Sequence, residues 1–309
     1  MSFTAKDVAD LRQKTGAGMM ECKNALKEAG GNLDKASEIL RQKGLIQAAK
    51  KTDKVALEGI VASIISEDKK AGIILEINTQ TDFVAKNEMF LSLVNIILKT
   101  TLKEKPSSLD ELLKLKAEGS SIADLISGRI ATIGENIQLR RMSVFNLGAE
   151  SGIVGSYIHP VGNKIGVMVK LSTSSPVPYT EMEQLVKDLA MHIAAVQPQA
   201  EFIDKQSIPK EIIENEKRIE MGKEDLAKKP KEIAEKIVQG RLDKILSQRC
   251  LLEQPFIKDQ GTTIDKLLQE KGKQLNTTIK ILQFVRYNVG EFADKLTQEE
   301  SNKAVGVVI

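Results

Sequence analysis

The feature that most constrains the fold of this chain is an internal repeat of strand-like sequence. Residues 59–65 read GIVASII and residues 152–158 read GIVGSYI, so five of the seven positions are identical. Each copy is followed by a turn and a second apolar run, GIILEIN from Gly72 and GVMVKLS from Gly166, and then by a helical pattern. Two copies of a strand–turn–strand–helix unit predict a duplicated α+β core with antiparallel sheets.

Further patterns place more elements around this core. The two units are expected to end in helices over 88–102 and 179–196, and residues 136–146 are expected to add a strand to the second unit. The runs 251–257 and 277–287 have the composition of strands returning to the core, and a helical pattern separates them.

The first fifty residues predict three short helices packed into a miniature bundle. Thr4 and Asp7 have the spacing of a capping box, and Asn32 is placed to cap a third helix that Gly44 is expected to close. Helices this short need tertiary packing to persist. The polar stretch 47–54 is expected to link the bundle to the core.

A long, highly charged stretch over about 208–246 predicts an antiparallel helical hairpin. Pro230 interrupts the stretch and suits the first turn of a new helix. The apolar residues expected in its narrow seam are Ile212, Ile219, Leu226, Ile233, Ile237, Leu242 and Ile245. The surrounding Lys and Glu residues are expected to form an ordinary solvated face.

Composition and charge exclude several classes of function. The 45 Lys and Arg residues against 42 Asp and Glu leave a net charge of +3, which favours a solvated surface over a nucleic-acid-binding stripe. Aromatic residues make up 4% of the chain, with no Trp, which argues against base-stacking platforms. Cys22 and Cys250 are expected to be reduced thiols, and the chain shows neither a signal region nor a membrane-spanning run. These features predict a cytoplasmic protein without membrane contact.

The chain offers few residues for chemistry of its own. His159 and His192 have no Cys or His at metal-ligand spacing, and there is no GxxxxGKS or GxxxxGKT phosphate-binding loop. We therefore expect no catalytic residues, no metal and no cofactor, and an enzyme with its own active site is disfavoured.

The most informative candidate site is the segment EINTQTDFVAKNE, residues 76–88, where a strand turns into a helix. Thr79, Thr81 or Asp82 is expected to cap that helix, so Asp82 and Phe83 should lie together at the corner. They are either a capping Asp followed by a core Phe, or a tip that presents an acid and an aromatic wedge to a partner. The second copy reads STSSPVPYTE at its corner and lacks an Asp-Phe pair, which favours a function specific to the first corner.

Two segments of the chain are distinctive: LRQKTGAGMMECKNAL, residues 11–26, and EINTQTDFVAKN, residues 76–87. They closely resemble the signatures of the bacterial translation elongation factor Ts family. The resemblance continues through GSYIHPVGNKIGVMV, AMHIAAVQP, KPKEIAEKIVQGRLDK and QPFI, in the expected order. After His159 the family often has a glycine directly, whereas this chain inserts Pro160-Val161 first.

The resemblance implies a guanine nucleotide exchange factor that binds the GTPase elongation factor Tu, in its GDP-bound and nucleotide-free forms, and promotes GDP release. It implies a UBA-like N-terminal bundle, a coiled-coil hairpin projecting from the body and a short C-terminal module. It places Thr81, Asp82, Phe83 and Val84 at the partner's magnesium site, where they would dislodge the ion. The partner-binding residues that it implies are Arg12, Met19, Met20 and His159.

These patterns divide the chain into four parts: a bundle and linker over 1–54, a first core subdomain over 55–147, a second core subdomain over 148–290 that carries the hairpin, and a tail over 291–309. The alternative function is a non-catalytic ribosome- or RNA-associated binding protein, or a scaffold, neither of which would affect GDP release. RNA binding through phosphates would depend steeply on salt, whereas the balanced charge predicts a shallow dependence and no direct nucleic-acid contact. A homodimer within a larger complex stays open.

Overall fold

The computed structural model describes residues 3–49, 51, 54–226 and 229–291. Across these residues the fold comprises a helical bundle, two stacked three-stranded antiparallel sheets with helices packed on them, two small two-stranded sheets, and a helical hairpin. It is therefore of the α+β class. The predicted C-terminal tail, apart from Glu291, lies outside the described residues.

The N-terminal bundle consists of α1 (Ala5–Thr15), α2 (Met19–Glu28) and α3 (Leu33–Ala49). Thr4 and Asp7 form the predicted capping box, and the side-chain oxygen of Asn32 accepts the N–H of Lys35 at 2.9 Å. The bundle has a small core of its own, formed by Val8, Leu11, Cys22, Ala25, Leu26 and Ala36.

The first unit contains, in chain order, β1 (Glu58–Ile65), β2 (Ala71–Thr79), α4 (Asp82–Ala85), α5 (Glu88–Glu104), α6 (Leu109–Lys114), β3 (Lys116–Ala117), β4 (Ser120–Ser121), α7 (Ile122–Ile133) and β5 (Ile137–Asn146). Its sheet has the order β1-β2-β5, and both pairings are antiparallel. Residues 136–146 thus extend the first sheet, and the expectation that they join the second unit is wrong. The physical reason is that β5 directly follows α7, which packs on the first core, so the nearest open strand edge is that of β2.

Gly44 lies inside α3, so the expectation that it closes the helix is wrong. A Cβ built on Gly44 would lie 3.1 Å from the Cβ of Ala131 in α7. Arg41 and Asp124 form an ion pair across the same contact. The glycine therefore allows α3 to approach α7 closely, which attaches the bundle to the first unit.

The second unit contains β6 (Gly152–Ile158), β7 (Ile165–Thr173), α8 (Tyr179–Ala195), the hairpin helices α9 (Lys210–Met221) and α10 (Lys231–Arg249), β8 (Pro255–Phe256), β9 (Asp259–Thr263), α11 (Ile264–Gln274) and β10 (Ile279–Asn288). Its sheet has the order β10-β7-β6, so β10 confirms the strand expected over 277–287. The strand expected over 251–257 is mostly wrong, because Leu251–Glu253 form a 3-10 turn. Leu251 and Phe256 are buried in the second core, and a short buried apolar run does not distinguish a strand from other packed conformations.

The hairpin helices α9 and α10 run antiparallel. Glu216 pairs with Arg249 near one end, and Glu220, further along α9, pairs with Arg241, which comes earlier in α10. Pro230 directly precedes α10, in agreement with its predicted place at a helix start. Lys228, part of the interruption predicted from the sequence, lies outside the described residues.

The apolar seam of the hairpin agrees with the expected one only in part. Leu226 and Leu242 are buried, and Ile212 and Ile237 pack against buried residues, as expected. The expectation is wrong for Ile219 and Ile233, which are 50% and 51% exposed. The buried residues on α10 are Ala234, Val238, Leu242 and Leu246. They recur every four residues and so form one face of the helix. Two of the four are the small residues Ala234 and Val238, and a pattern of Ile and Leu alone therefore predicts the wrong face.

The two sheets stack face to face over a shared core formed by Val61, Ile74, Phe145, Leu147, Val154, Met168 and Tyr287. Gly72 and Gly166 occupy equivalent positions in the two units. A Cβ on Gly72 would lie 2.8 Å from Val154, and a Cβ on Gly166 would lie 2.4 Å from Val61, which is the equivalent of Val154. The contacts are reciprocal, so an approximate two-fold axis relates the units.

The turn of each unit also forms a backbone hydrogen bond with the sheet of the other unit. Lys69, in the turn between β1 and β2, accepts the backbone N–H of Val154 on its carbonyl at 2.7 Å. Asn163, in the turn between β6 and β7, accepts the N–H of Val61 at 2.8 Å. Both turn residues have left-handed backbone angles, with φ of 58° and 52°. These bonds hold the two sheets in register with one another.

Cys22 and Cys250 are both buried and take part in no disulfide. Burial raises the pKa of the Cys250 thiol to about 11. At neutral pH this side chain is therefore an uncharged thiol, which suits packing rather than reactivity.

Every helix in the described parts of the chain is too short or too polar to traverse a lipid bilayer.

Candidate functional site

The corner of the first unit lies between the end of β2 at Thr79 and the start of α5 at Glu88. Between them, α4 is a single four-residue turn. Asn87 then caps α5, because its side-chain oxygen accepts the N–H of Met89 at 2.8 Å. The chain thus turns twice in quick succession between β2 and α5.

Phe83 is the most exposed large apolar side chain of the described residues, at 80%. The interpretation of Phe83 as a core residue is therefore wrong. The two residues after it, Val84 and Ala85, are buried in the first core and anchor α4 from below. Burying an aromatic ring is normally favourable by about 1.5–3 kcal/mol, so packing within this chain gives no reason for the exposed position. The ring is therefore available to be buried against another molecule, and aromatic side chains are enriched in protein interfaces.

Asp82 lies beside the ring with its side chain about half exposed. The Lys86 ammonium donates a hydrogen bond to its carboxylate at 2.8 Å. This bond lowers the pKa of Asp82 below its ordinary value of 3.8, and the positive charge of Lys164 from the second unit adds to the effect. The carboxylate is charged at neutral pH, and the exposed ion pair with Lys86 is weak enough to be exchanged for a partner.

Thr81 stands at the N-cap position of α4, but its side chain does not cap the helix, so the expected capping bond is wrong. Its hydroxyl donates instead to both carboxylate oxygens of Glu135, at 2.9 and 3.0 Å, and its backbone N–H donates to the same carboxylate at 3.1 Å. The Thr79 hydroxyl donates to the carbonyl of Thr81 at 2.8 Å. The backbone before Asp82 is therefore fixed by a side chain that is distant in the sequence.

Local sequence patterns do not indicate the contact between Glu135 and Thr81, because the two residues lie 54 positions apart. The signal at this position was an acidic residue directly after Gly134, the left-handed glycine that ends α7. A local pattern of this kind predicts a carboxylate at the surface and does not indicate that it accepts hydrogen bonds from Thr81.

The other predicted contact residues lie on different elements. Arg12 is exposed on α1, and Met19 and Met20 are 49% and 64% exposed at the start of α2. Val84, predicted with the corner residues, is buried beneath them. The predicted residues thus occupy three places: Thr81 to Val84 together at the corner, three residues on the bundle, and His159 on the second unit.

His159 follows β6 and is half-buried. Its backbone N–H donates to the carbonyl of Ile165 at 2.8 Å, and its Nδ1 atom lies 3.0 Å from the hydroxyl of Tyr157. Pro160 and Val161 lie at the tip of the following turn, where Val161 is 73% exposed. Val161 therefore adds apolar surface to the turn that reaches across to the first sheet.

Glu76, the first residue of the corner segment, is buried in a polar network and has a structural role. Arg141 donates to its carboxylate at 2.7 Å and stacks over the ring of Tyr287, with 4.1 Å between the guanidinium carbon and the ring centre. The N–H of Gly290 donates to the same carboxylate at 3.2 Å. A buried carboxylate with several charge-assisted partners is well compensated, and here it joins the first sheet to the end of the second.

Within the described ranges, no group of three or more His, Cys, Asp or Glu side chains is arranged to hold a metal ion. The corner itself combines a carboxylate, a free aromatic ring and a hydroxyl that Glu135 occupies. The carboxylate and the ring are therefore available for contact with another molecule, whereas the hydroxyl is already hydrogen-bonded within the chain.

A family model described as Elongation factor TS matches residues 80–291, which is more than half of the chain and includes Thr81 to Val84. Several bacterial proteins named elongation factor Ts are similar over nearly the whole length. That of Nostoc punctiforme is 43% identical, covering 95% of this chain and 94% of the relative. That of Clostridium botulinum strain Alaska E43 is 41% identical, covering 98% and 99%, and that of Alkalilimnicola ehrlichii is 42% identical, covering 96% and 94%. The chain therefore belongs to the elongation factor Ts family of translation elongation factors.

Proposed function

We propose that this protein is a guanine nucleotide exchange factor that binds elongation factor Tu carrying GDP, disrupts its magnesium and phosphate site, and promotes GDP release. The observation that carries the proposal is the corner of Asp82 and Phe83, where a charged carboxylate adjoins an aromatic ring that is 80% exposed. The family membership supplies the context of translation elongation.

The chemistry of GTPases explains why such a corner is effective. A GTPase holds its nucleotide through backbone N–H groups, a lysine and a Mg²⁺ ion that bridges phosphate oxygens. Mg²⁺ requires near-ideal octahedral geometry, so a small displacement of its surroundings weakens its binding sharply. A ring that wedges between helices of the partner displaces those surroundings, and the Asp82 carboxylate changes the local charge.

Thermodynamic linkage sets the terms of this activity. The factor must bind nucleotide-free partner more tightly than nucleotide-bound partner, and nucleotide must then weaken binding of the factor by the same ratio. It accelerates exchange without altering the equilibrium between GDP and GTP, and it makes no covalent bond. It is therefore an exchange factor and not an enzyme in the chemical sense.

The remaining surface supports a second set of contacts. Arg12, Met19 and Met20 are exposed on the bundle, and methionine side chains adapt readily to a partner surface. We assign these residues and His159 to partner binding. In this proposal the bundle is UBA-like and the hairpin is a coiled coil. The chain is divided into the bundle and linker over 1–54, the two core subdomains over 55–147 and 148–290, and a tail over 291–309. The protein acts in the cytoplasm and makes no direct contact with nucleic acid.

Release of fluorescently labelled GDP from purified elongation factor Tu, measured by stopped flow, tests the proposal. Addition of the protein should accelerate release, and Phe83→Ala should remove most of the acceleration while leaving the unfolding midpoint unchanged. Phe90→Ala is the control for a loss of stability. Phe90 is 0% exposed, and removal of its ring should lower the free energy of unfolding by about 3–5 kcal/mol.

Two results would count against the proposal. No acceleration by the wild-type protein would favour a ribosome- or RNA-associated binding protein or a scaffold. Acceleration that Phe83→Ala leaves intact would move the exchange site away from the corner.

A further inference from the structure

The contact between Glu135 and Thr81 is unusually complete for a link between two loops. One carboxylate accepts both the hydroxyl of Thr81, at 2.9 Å, and its backbone N–H, at 3.1 Å. The first bond fixes the side-chain rotamer of Thr81 and the second fixes the direction of its backbone. Both have a charged acceptor, and bonds of this kind are roughly twice as strong as those between neutral groups.

The orientation of the corner depends on this contact, because α4 has little structure of its own. A helix of one turn is marginal in isolation, and α4 also lacks a side-chain cap. Val84 and Ala85 anchor its inner side in the first core. Thr81 sets the direction in which the chain enters the turn, and the direction of Phe83 follows from it.

Glu135 is itself held between contacts to the segment that joins the bundle to the core. On one side, the carbonyl of Gly134 accepts the Lys51 ammonium at 2.5 Å. On the other, the Asn136 side chain donates to the carbonyl of Lys54 at 2.7 Å. Glu135 thus lies where the end of α7, the bundle linker and the corner meet.

We propose that Glu135 is a positioning residue for nucleotide exchange, which clamps Thr81 and thereby holds Asp82 and Phe83 in the direction that enters the partner. This inference rests on the proposed function. It also links the bundle to the corner mechanically, since the linker contacts flank the clamp on both sides. Glu135 acts through Thr81 and does not itself touch the nucleotide site.

The first test uses GDP release from elongation factor Tu at increasing concentrations of factor, which separates the maximal rate from the half-saturating concentration. Glu135→Gln keeps an acceptor oxygen but loses the charge, and Glu135→Ala loses both. We expect the maximal rate to fall about threefold for the first and about tenfold or more for the second, with half-saturation changed less than about twofold. Thr81→Val, which keeps only the backbone donor, should resemble Glu135→Gln. Glu118→Gln, an exposed carboxylate in the same unit, should match wild type.

The same variants in a Phe83→Ala background show whether Glu135 acts through the corner. A positioning residue should lower the rate little further once the ring is gone, because both changes remove one interaction. An equal loss in both backgrounds, or a loss that follows the melting temperature, would overturn the inference. An unchanged maximal rate for Glu135→Ala and Thr81→Val would also overturn it.

A second test reads the position of the ring in the free protein. 4-Fluorophenylalanine placed at residue 83 alone gives a single ¹⁹F resonance, which should shift and broaden in Glu135→Gln but not in Glu118→Gln. An unchanged resonance would overturn the clamp whatever the exchange rates are. If the clamp passes this test and the wild-type protein still fails to accelerate GDP release from elongation factor Tu, the proposed function is wrong. The role of Glu135 in exchange is then wrong as well.

Discussion

The hydroxyl oxygens of Ser63 and Ser156 lie 2.9 Å apart, at equivalent positions of the two repeated strands. Each serine therefore bonds to its own counterpart, and the pair lies on the approximate two-fold axis that relates the units. The same strands carry Val61 and Val154, which face the glycines of the opposite unit. Part of the contact between the two sheets is thus made by the repeated strands themselves.

Removal of either hydroxyl from this pair should weaken the contact by a modest amount. Ser63→Ala and Ser156→Ala should each lower the free energy of unfolding by about 0.5–1.5 kcal/mol, as a lost hydrogen bond does. The double variant should cost less than the sum of the two, because both remove the same bond. Urea unfolding of the four proteins measures the coupling, and full additivity would show that the serines do not interact in solution.

Gly166→Ala should separate the sheets. Its new methyl group would lie 2.4 Å from Val61 and 2.7 Å from Ile158, so side chains on both sheets must move. We expect a loss of about 1–3 kcal/mol in thermal or urea unfolding, typical of an overpacked core.

Gly240→Ala is the matched control for this substitution. Gly240 lies in the middle of α10 with open space where a Cβ would be. The change should therefore raise stability by about 0.5–1 kcal/mol, from helix propensity alone. Similar effects at both glycines would show that the close approach of the sheets is not tight in solution.

His192 should make stability depend on pH. It is 0% exposed, its Nδ1 accepts the N–H of Ile257 at 3.2 Å, and its Nε2 lies 3.1 Å from the side-chain oxygen of Gln254. Gln254 is oriented by its own donation to the carbonyls of Pro198 and Gln248. The ring is therefore neutral with its proton on Nε2, and burial lowers the pKa of His192 below the ordinary 6.5.

A lowered pKa in the folded state means that the unfolded chain takes up the proton first as the pH falls. The contribution of the neutral ring is complete above pH 6.5 and is lost as the pH drops below that value toward the folded-state pKa. Unfolding free energies measured from pH 8 to about 5.5 should decline for wild type. His192→Gln should be less stable at pH 8 and decline less steeply. Parallel curves would exclude His192 as the cause.

The magnesium hypothesis makes its own prediction about additivity. If Asp82 and Phe83 act by dislodging Mg²⁺, excess chelator should speed GDP release from elongation factor Tu alone. The ratio between wild type and the Asp82→Ala/Phe83→Ala variant should then shrink, because metal removal and the corner share one step. Release is measured by stopped flow with and without chelator. A ratio that chelator leaves unchanged would place the action of the corner elsewhere in the partner, such as its phosphate-binding loop.

The sequence patterns predict the elements whose burial is periodic. The repeated strands, the helix from Tyr179 and the strand that ends at Asn288 are found within a few residues of their expected bounds, because each presents apolar residues to a core at a regular spacing. The family signature marks the corner residues, and their exposure follows from Val84 and Ala85 taking the inward positions.

What the patterns do not predict depends on tertiary neighbours. Gly44 is a residue type that often ends a helix. Here α3 continues past it, and α7 packs against it. The side chain of Thr81 suits a local cap, in which its oxygen would accept an N–H of α4. The hydroxyl is instead turned to Glu135 and donates to that charged carboxylate. The sheet that β5 joins depends on which strand edge is open nearby, and no local pattern contains that information.

The reciprocal packing of the two units has a consequence for how such a protein could diversify. Two separate, identical chains meeting in this way would carry the same corner twice, and any change in one would appear in the other. A single polypeptide that holds both halves is free of that restriction. Here one half presents Asp82 and Phe83, while at the other half Tyr179 lies under the ammonium of Lys69, with 5.1 Å between them. Fusion of two alike halves thus makes asymmetry available to selection, without altering the contact that holds them together.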